Sequence, residues 1–159
     1  MTLLKTLLAA VAGIGLFGLL AAQLGLLSGK APTDLGVREG RLKAPSKTDN
    51  SVSSQASSWP GSEGAQIAPL AARGDLASTM QRLKNAVASM SGAKVIEARP
   101  DYLYVQFTTR WMKFVDDAEF WADPVSGAIQ VRSASRVGRK DFGVNRARVE
   151  TIRERLAAP

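Results

Sequence analysis

Residues 6–29 carry no charged side chain and consist mostly of Leu, Ala, Gly, Val, Ile and Phe. Inside a bilayer every backbone N–H and C=O must find a partner within the segment itself, so a run of this kind enters a membrane only as a helix. About 20 apolar residues are enough to cross the hydrocarbon core. A secretory signal has a shorter apolar core, roughly 7–15 residues, ahead of a small-x-small cleavage site. Here the apolar run continues through Leu24, Leu26 and Leu27, past the small pair Ala21-Ala22. That continuation favours an uncleaved anchor over a removed leader. Apolarity on all faces also argues against a helix buried in a soluble core, which would keep a polar stripe. Residues 1–30 are therefore expected to form one N-terminal transmembrane anchor.

The remainder is basic. The chain has a formal net charge of +7, and Lys5 is the only charged side chain ahead of the apolar run. The rest thus carries about +6, a balance that draws nucleic acid, anionic lipid headgroups or acidic partners. An anchored domain meets membrane lipid, or a membrane protein complex, before it meets nucleic acid. Orientation is pulled two ways. Lys30, Arg38, Arg41, Lys43 and Lys47 follow the anchor, and the positive-inside bias read literally puts the domain in the cytoplasm. A very short N-terminal tail with one Lys has instead the look of an export signal-anchor in the inner membrane, with the domain on the periplasmic side.

The chain has no His and no Cys. This excludes Ser-His-Asp and Cys-His nucleophile systems and His- or Cys-ligated zinc, iron and copper. It also excludes disulfides. Carboxylate chemistry or Ser–Lys pairing remains, and no cofactor is implied.

Residues 31–66 hold Pro32, Gly36, Gly40, Pro45, Pro60, Gly61 and Gly64 among many Ser, which reads as an extended segment. Leu35, Val37, Leu42, Val52 and Trp59 within it argue that it packs on a domain formed by residues 67–159. In that domain Leu76, Met80, Leu83, Val87 and Met90 recur at helical spacing. Asp75 is the expected N-cap, and Gly92 stands where a left-handed terminating residue belongs. Strands are expected over residues 93–99, 102–109, 111–122 and 128–135. A last helix is expected over residues 146–157, capped by Asn145, with Val149, Ile152 and Leu156 buried and Val144 stapled to Val149. The fold class is α+β: a four-stranded antiparallel meander with flanking helices on one face, preceded by one transmembrane helix.

Alternation puts Met112, Phe114, Ala118 and Phe120 on one face with Ile129 and Val131. Pairing Phe120 with Ile129 would then set Asp117 opposite Arg132 as a cross-strand ion pair on the other face. It would also set Asp116 opposite Ser133 on the apolar face. Three ligands from Asp116, Asp117 and Glu119 could hold Ca²⁺ or Mg²⁺ only by converging, and Asp116 points away from the other two. No metal site is expected. Asp141-Phe142-Gly143 spells the metal-binding triplet of protein kinases, but no glycine-rich loop or catalytic loop accompanies it. Asn50-Ser51-Val52-Ser53-Ser54 reads as a structural turn. Arg132, Arg136, Arg139, Lys140, Arg146 and Arg148 crowd one stretch ahead of and within the last helix. Guanidinium forks beside a helix N-terminus can hold an anion.

The ordered set NSVSS, IAPL at residues 67–70, FVDDAEF and RSASRVGRKDFGVNRARVE resembles the DUF1499 family of domains of unknown function. The resemblance implies a compact domain, often placed behind a lipoprotein signal or a membrane anchor, and it supplies no reaction. The matching residues are Asn50, Ser53, Ser54, Asp116, Asp117, Glu119, Arg132, Ser133, Ser135, Arg136, Gly138, Asp141, Gly143, Asn145 and Arg146. Ser51 stands where members commonly have Cys, which removes any thiol role. Arg139-Lys140 stands where an aromatic is common.

The expected function is a membrane-anchored binding or accessory module for an anionic group, a lipid headgroup or a partner carboxylate. Arg136, Asn145, Arg146, Arg132, Ser133 and Ser135 are its candidate ligand-binding residues. The alternatives are a carboxylate- or oxygen-ligated-metal-dependent enzyme and a structural subunit of a membrane complex.

Overall fold

An apolar sequence without proline winds into helix α1 (Thr2–Gln23), which is exposed along its length except near its end, where Ala22 is buried. The computed structural model of the chain describes residues 2–158. Among these, α1 is the one helix long and apolar enough to cross a membrane.

After α1 come β1 (Ser51–Ser53), β2 (Leu70–Ala71), α2 (Leu76–Ala88), β3 (Ala93–Ala98), β4 (Tyr102–Thr108), β5 (Val115–Asp123), β6 (Ala128–Ser135) and α3 (Val144–Ala157). The α+β class stands. The sheet has six antiparallel strands rather than the four expected. Strands β3 to β6 form the meander, and the free edge of β6 is filled by β1 along one part and by β2 along another. Within the segment 50–54, expected as a turn, Ser51–Ser53 are strand, and the chain turns from Ser54. Val52 is a buried core residue, and Ser54 Oγ accepts from Val131 N at 2.9 Å and donates to Gln130 Oε1 at 2.7 Å.

The register of β5 on β6 differs from expectation by two residues. Phe120 pairs with Val131, Ala122 with Ile129, Glu119 with Arg132, Asp117 with Ala134 and Asp116 with Ser135. The face of every residue in these pairs is as expected, because a shift of two preserves alternation. The turn explains the shift. The expected register needs a two-residue loop at Pro124-Val125. The tight hairpin turns demand φ > 0 at their first central residue, which proline cannot adopt. The chain instead uses four residues, 124–127. Asp123 Oδ1 accepts from Val125 N at 2.9 Å, and Gly127 N closes on Asp123 O at 3.0 Å.

One sheet face carries Leu103, Val105, Phe107, Ala118, Phe120, Ile129 and Val131. They share a core with Met80, Leu83 and Val87 of α2 and with Val149, Ile152 and Leu156 of α3. The helical stripes read from the sequence are the ones buried. Asp75 caps α2 by accepting from Ser78 N at 2.8 Å. Gly92 returns the chain at φ 74°, where a Cβ would sit 2.3 Å from Thr108 O, so no other residue fits there without a shift. The second face is covered by the extended segment: Leu42 buries against Tyr102 and Trp121, with Val37 and Tyr104 around them. Every residue of β5 is therefore buried.

Two local expectations change. Strand β5 starts at Val115, not at residue 111, because Lys113 takes a left-handed conformation (φ 54°) that breaks the strand. Met112 is only half-buried and Phe114 is exposed in the resulting turn, instead of facing the core with Ala118 and Phe120. The cap of α3 is not Asn145, which is buried inside its first turn. Gly143 holds the cap position, Val144 is exposed rather than stapled, and Asp141 supplies the capping oxygens.

Candidate functional site

Strand β5 brings three acidic residues into a sheet covered on both faces, and each carboxylate meets one arginine. On the helix face Asp116 accepts from Arg148 Nη2 at 2.5 Å. On the other face Asp117 takes a two-pronged grip from Arg136, Nε to Oδ2 and Nη2 to Oδ1, both at 2.8 Å. Glu119 lies 3.6 Å from Arg132 Nη1 through Oε2. All six side chains are largely or wholly shielded from water. The ion pair expected between Asp117 and Arg132 is not formed. The two-residue shift gives Arg132 to Glu119 and leaves Asp117 to Arg136, just beyond the end of β6. Among the described residues no cluster of three acidic groups is placed to hold a metal ion.

These pairs are embedded in networks. Tyr104 Oη donates to Asp117 Oδ1 at 2.5 Å and accepts from Gln106 Nε2 at 2.8 Å. Glu119 Oε1 accepts from Tyr102 Oη at 2.8 Å and from Gly36 N at 2.7 Å, which ties the extended segment to the sheet. On the helix face Asn145, fully buried, is a hub. Its Oδ1 accepts from Ser133 Oγ at 2.5 Å and Arg148 Nη1 at 2.7 Å. Its Nδ2 lies within 3.2 Å of Asn50 O, Ser135 Oγ and Asp141 Oδ2. Asn50 Nδ2 in turn donates to Gly138 O at 2.7 Å. The family-motif residues Asn50, Asp116, Ser133, Ser135, Gly138, Asp141, Gly143 and Asn145 thus meet at one corner of the fold, bonded chiefly to one another. Ser53 and Ser54 hold the β1 edge: Ser53 Oγ accepts from Gln55 N at 3.1 Å.

Charge states follow the surroundings. Burial raises Glu119 above the ordinary carboxylate value and outweighs the donors and the arginine beside it. Burial likewise lowers Arg132. For this pair desolvation exceeds attraction, as it commonly does for ions removed from water. Asp141 is lowered: burial opposes the charge, but the N–H groups of Asn145 and Gly143 prevail. The sign for Glu119 follows. A carboxyl raised on folding contributes stability that is fully present below its ordinary value, about 4.3, and lost as pH rises through its raised folded value. Glu119→Gln, which removes the titration, is expected to gain stability relative to the native chain as pH is raised across that window. Thermal melts of both chains at about pH 4 and about pH 7 check this. A difference between them that does not change with pH would show that folding leaves the Glu119 carboxyl unshifted and would overturn the raised value.

The two arginines expected to share an anion site are separated. Arg136 is engaged by Asp117. Arg146 is exposed, touches Gly64 O at 3.3 Å and lines a different hollow with Lys47, Ser62 and Asp141. An open cleft of about 550 Å³ lies instead beside the exit of α1, lined by Lys30, Asp34, Lys43, Asp117, Arg132, Ser135 and Arg136. Arg132 is 5 % exposed, and among the described residues it makes one hydrogen bond, Nε to Ala44 O at 3.0 Å. Lys43 is held by Asp34 at 2.5 Å, whereas Lys30 meets no carboxylate among the described residues.

Sequence reasoning missed Arg148, Tyr102, Tyr104, Lys30 and Lys43 as members of these clusters. Arg148 had a readable signal: it stands three residues after Asn145, on the margin of the stripe Val149–Ile152–Leu156.

No curated protein and no solved structure matches the chain. The family model described as "Protein of unknown function (DUF1499)" matches residues 41–156, from the covering segment through the last turns of α3. The chain belongs to the DUF1499 family.

Proposed function

We propose that this is a membrane-anchored accessory domain that binds an anionic group, with lipid headgroups as the nearest source, in the cleft beside its anchor. The carrying observation is Arg132: a guanidinium nine-tenths withdrawn from water that lines an open cleft and leaves its terminal nitrogens without a hydrogen bond. These nitrogens face the cleft, with Nη1 3.6 Å from Glu119, and a phosphate or carboxylate there would accept charge-assisted hydrogen bonds from them. Lys30 and Lys43 at the rim add attraction. Arg132 and Ser135 of the sequence reading belong to this cleft, with Arg136 in its wall; Ser133, Asn145 and Arg146 lie outside it. A metal-dependent enzyme has less support, because Asp116, Asp117 and Glu119 each face an arginine and lie on both sides of the sheet. A membrane protein complex remains the second kind of partner, its carboxylate taking the place of the phosphate.

Two measurements test the reading. The chain should stay in the membrane under alkaline carbonate extraction, and release would remove the anchor from the proposal. Glycerol phosphate titrated into the detergent-solubilised full chain should bind in a salt-sensitive way. Lys30→Gln with Lys43→Gln should weaken that binding about tenfold or more, with melting unchanged. Absence of binding to the native chain overturns the anion site. We place the domain on the periplasmic side of the inner membrane, on the strength of the export implied by the family resemblance and against the charges flanking the anchor. An alkaline phosphatase fused at the C-terminus should be active; an inactive fusion puts the domain in the cytoplasm.

A further inference from the structure

We infer that the loops 109–114 and 137–143, with Val144 at the start of α3, form a membrane-docking surface that seats the domain on the leaflet from which α1 emerges. This rests on the anchored reading above and goes beyond it, since an anchor alone leaves the domain free to stand off the bilayer.

The loops lie at the same end of the sheet. Thr108 pairs with Val115 and Asp116 with Ser135, so the β4–β5 turn and the exit of β6 are neighbours. The end of the apolar run packs on both. Gln23 Nε2 donates to Trp111 O at 3.2 Å. Gly29 approaches so closely that a Cβ there would lie 2.7 Å from Arg136 Cβ and 2.9 Å from Val137 Cγ1. A helix of this length rises about 33 Å, enough to span the hydrocarbon core by itself. Residues 24–29 therefore fall at the membrane interface, and whatever packs on them is brought there too.

The surface has the chemistry of that depth. Phe142 is 94 % exposed and Trp111 65 % exposed, with Phe114, Val137 and Val144 exposed around them. Phe142 and Lys113 also hold left-handed backbone, φ 53° and 54°, which disfavours any residue with a Cβ. A soluble fold has no packing reason to display a phenyl ring on such a backbone. Tryptophan and phenylalanine at the rim of an apolar segment match the interfacial belt. Arg110 lies over the Trp111 ring at 5.0 Å. Arg110, Lys113, Arg139 and Lys140 make no ion pair among the described residues. The one acid in these loops, Asp141, is turned inward as the cap of α3. The exposed charge is thus of one sign, as an anionic headgroup layer requires.

The chain has no cysteine, so single spin labels report cleanly. The full chain is reconstituted in nanodiscs of phosphatidylcholine with a minority of phosphatidylglycerol, labelled through Val144→Cys or, at the opposite end of the sheet, through Val125→Cys (93 % exposed). The label at 144 should be several-fold less accessible to a water-soluble nickel relaxant than the label at 125. Adding Trp111→Ser and Phe142→Ser to the 144-labelled chain should restore its accessibility, with melting unchanged because both side chains are exposed. Equal accessibility at 144 and 125 in a chain that resists carbonate extraction overturns the docking surface and leaves the anchor intact. A chain that carbonate releases overturns both. Shielding at 144 in native membranes but not in the lipid-only disc assigns the surface to a protein partner and overturns the proposal.

Discussion

Arg136→Gln is expected to destabilise the domain by about 3–5 kcal/mol, the range for removing one partner of a buried ion pair. Arg146→Gln should stay within about 0.5 kcal/mol of the native chain, as surface substitutions do. The two arginines look alike in the sequence, each close to a glycine and to the start of the last helix. The fold separates them. Arg136 closes a two-pronged grip on Asp117 with both distances at 2.8 Å, and both side chains are shielded from water. Without the guanidinium, Asp117 keeps Tyr104 Oη as a donor but loses its counter-charge in a site largely shielded from water. Arg146 reaches one carbonyl at 3.3 Å from an exposed position. Melting of the full chain in detergent separates them, with a fall of roughly 10 °C for Arg136→Gln. Asp117→Asn combined with Arg136→Gln should recover part of the loss, because the pair is removed without leaving one charge behind. An Arg136→Gln chain that melts with the native one would show that the grip is worth nothing, and would return Arg136 to the anion cleft as a free donor.

The sequence made the layers legible and the pairings illegible, for physical reasons that differ by element. Helices α2 and α3 bury long apolar stripes, and β4 alternates from Leu103 to Thr108. Such periods survive any local irregularity. Strands β1 and β2, of three and two residues, are too short to show a period and exist only because β6 offers a free edge. Residues 111–114 continue the alternation of β5 in phase, with Met112 and Phe114 apparently matched to Ala118 and Phe120. Only a left-handed backbone at Lys113, invisible in that pattern, turns them out of the sheet. The ion pairs depend on register, and register depends on the turn. A loop of four residues instead of two moves every same-face partner by one position, which sets Asp117 opposite Ala134 and within reach of Arg136, the next residue on that face, while leaving both faces correct. The segment 31–45 could be read as packing on the domain, since Val37 and Leu42 are apolar. What it covers, the second sheet face with Glu119 at its centre, could not be read, because an acid in a strand looks like a surface residue until its cover is known.

Asn145→Ala is expected to cost about 3–5 kcal/mol, at the upper end for single substitutions. The side chain is fully buried, and the groups it satisfies belong to four different parts of the chain. Its carbonyl oxygen takes the hydroxyl of Ser133 from β6 and one arm of Arg148 from α3. Its amide lies against Asn50 O ahead of β1, Ser135 Oγ and the capping carboxylate of Asp141. An amide nitrogen carries two hydrogens, so these three acceptors share them, and the loss is that of about four bonds rather than five. Each buried group left unsatisfied costs about 1–3 kcal/mol, reduced where a neighbour can move in. Ser133 and Arg148 retain each other at 3.2 Å, and Arg148 retains Asp116. Asn50 O keeps Ser135 N at 3.0 Å, and Asp141 keeps the backbone N–H groups of residues 143 and 145, so the cost lies in the lost ties between the covering segment, the start of α3 and β6 rather than in one bare group. Asn145→Ala should accordingly loosen this corner before the sheet. Hydrogen exchange would show early opening at Asn50 and over the first turn of α3, while Phe120 and Val131 at the sheet centre stay protected. A variant that loses its protection uniformly would mean that Asn145 holds the whole core and not one corner. A variant as stable as the native chain would mean that water replaces the amide, and that the corner where the family-motif residues meet owes nothing to this hub.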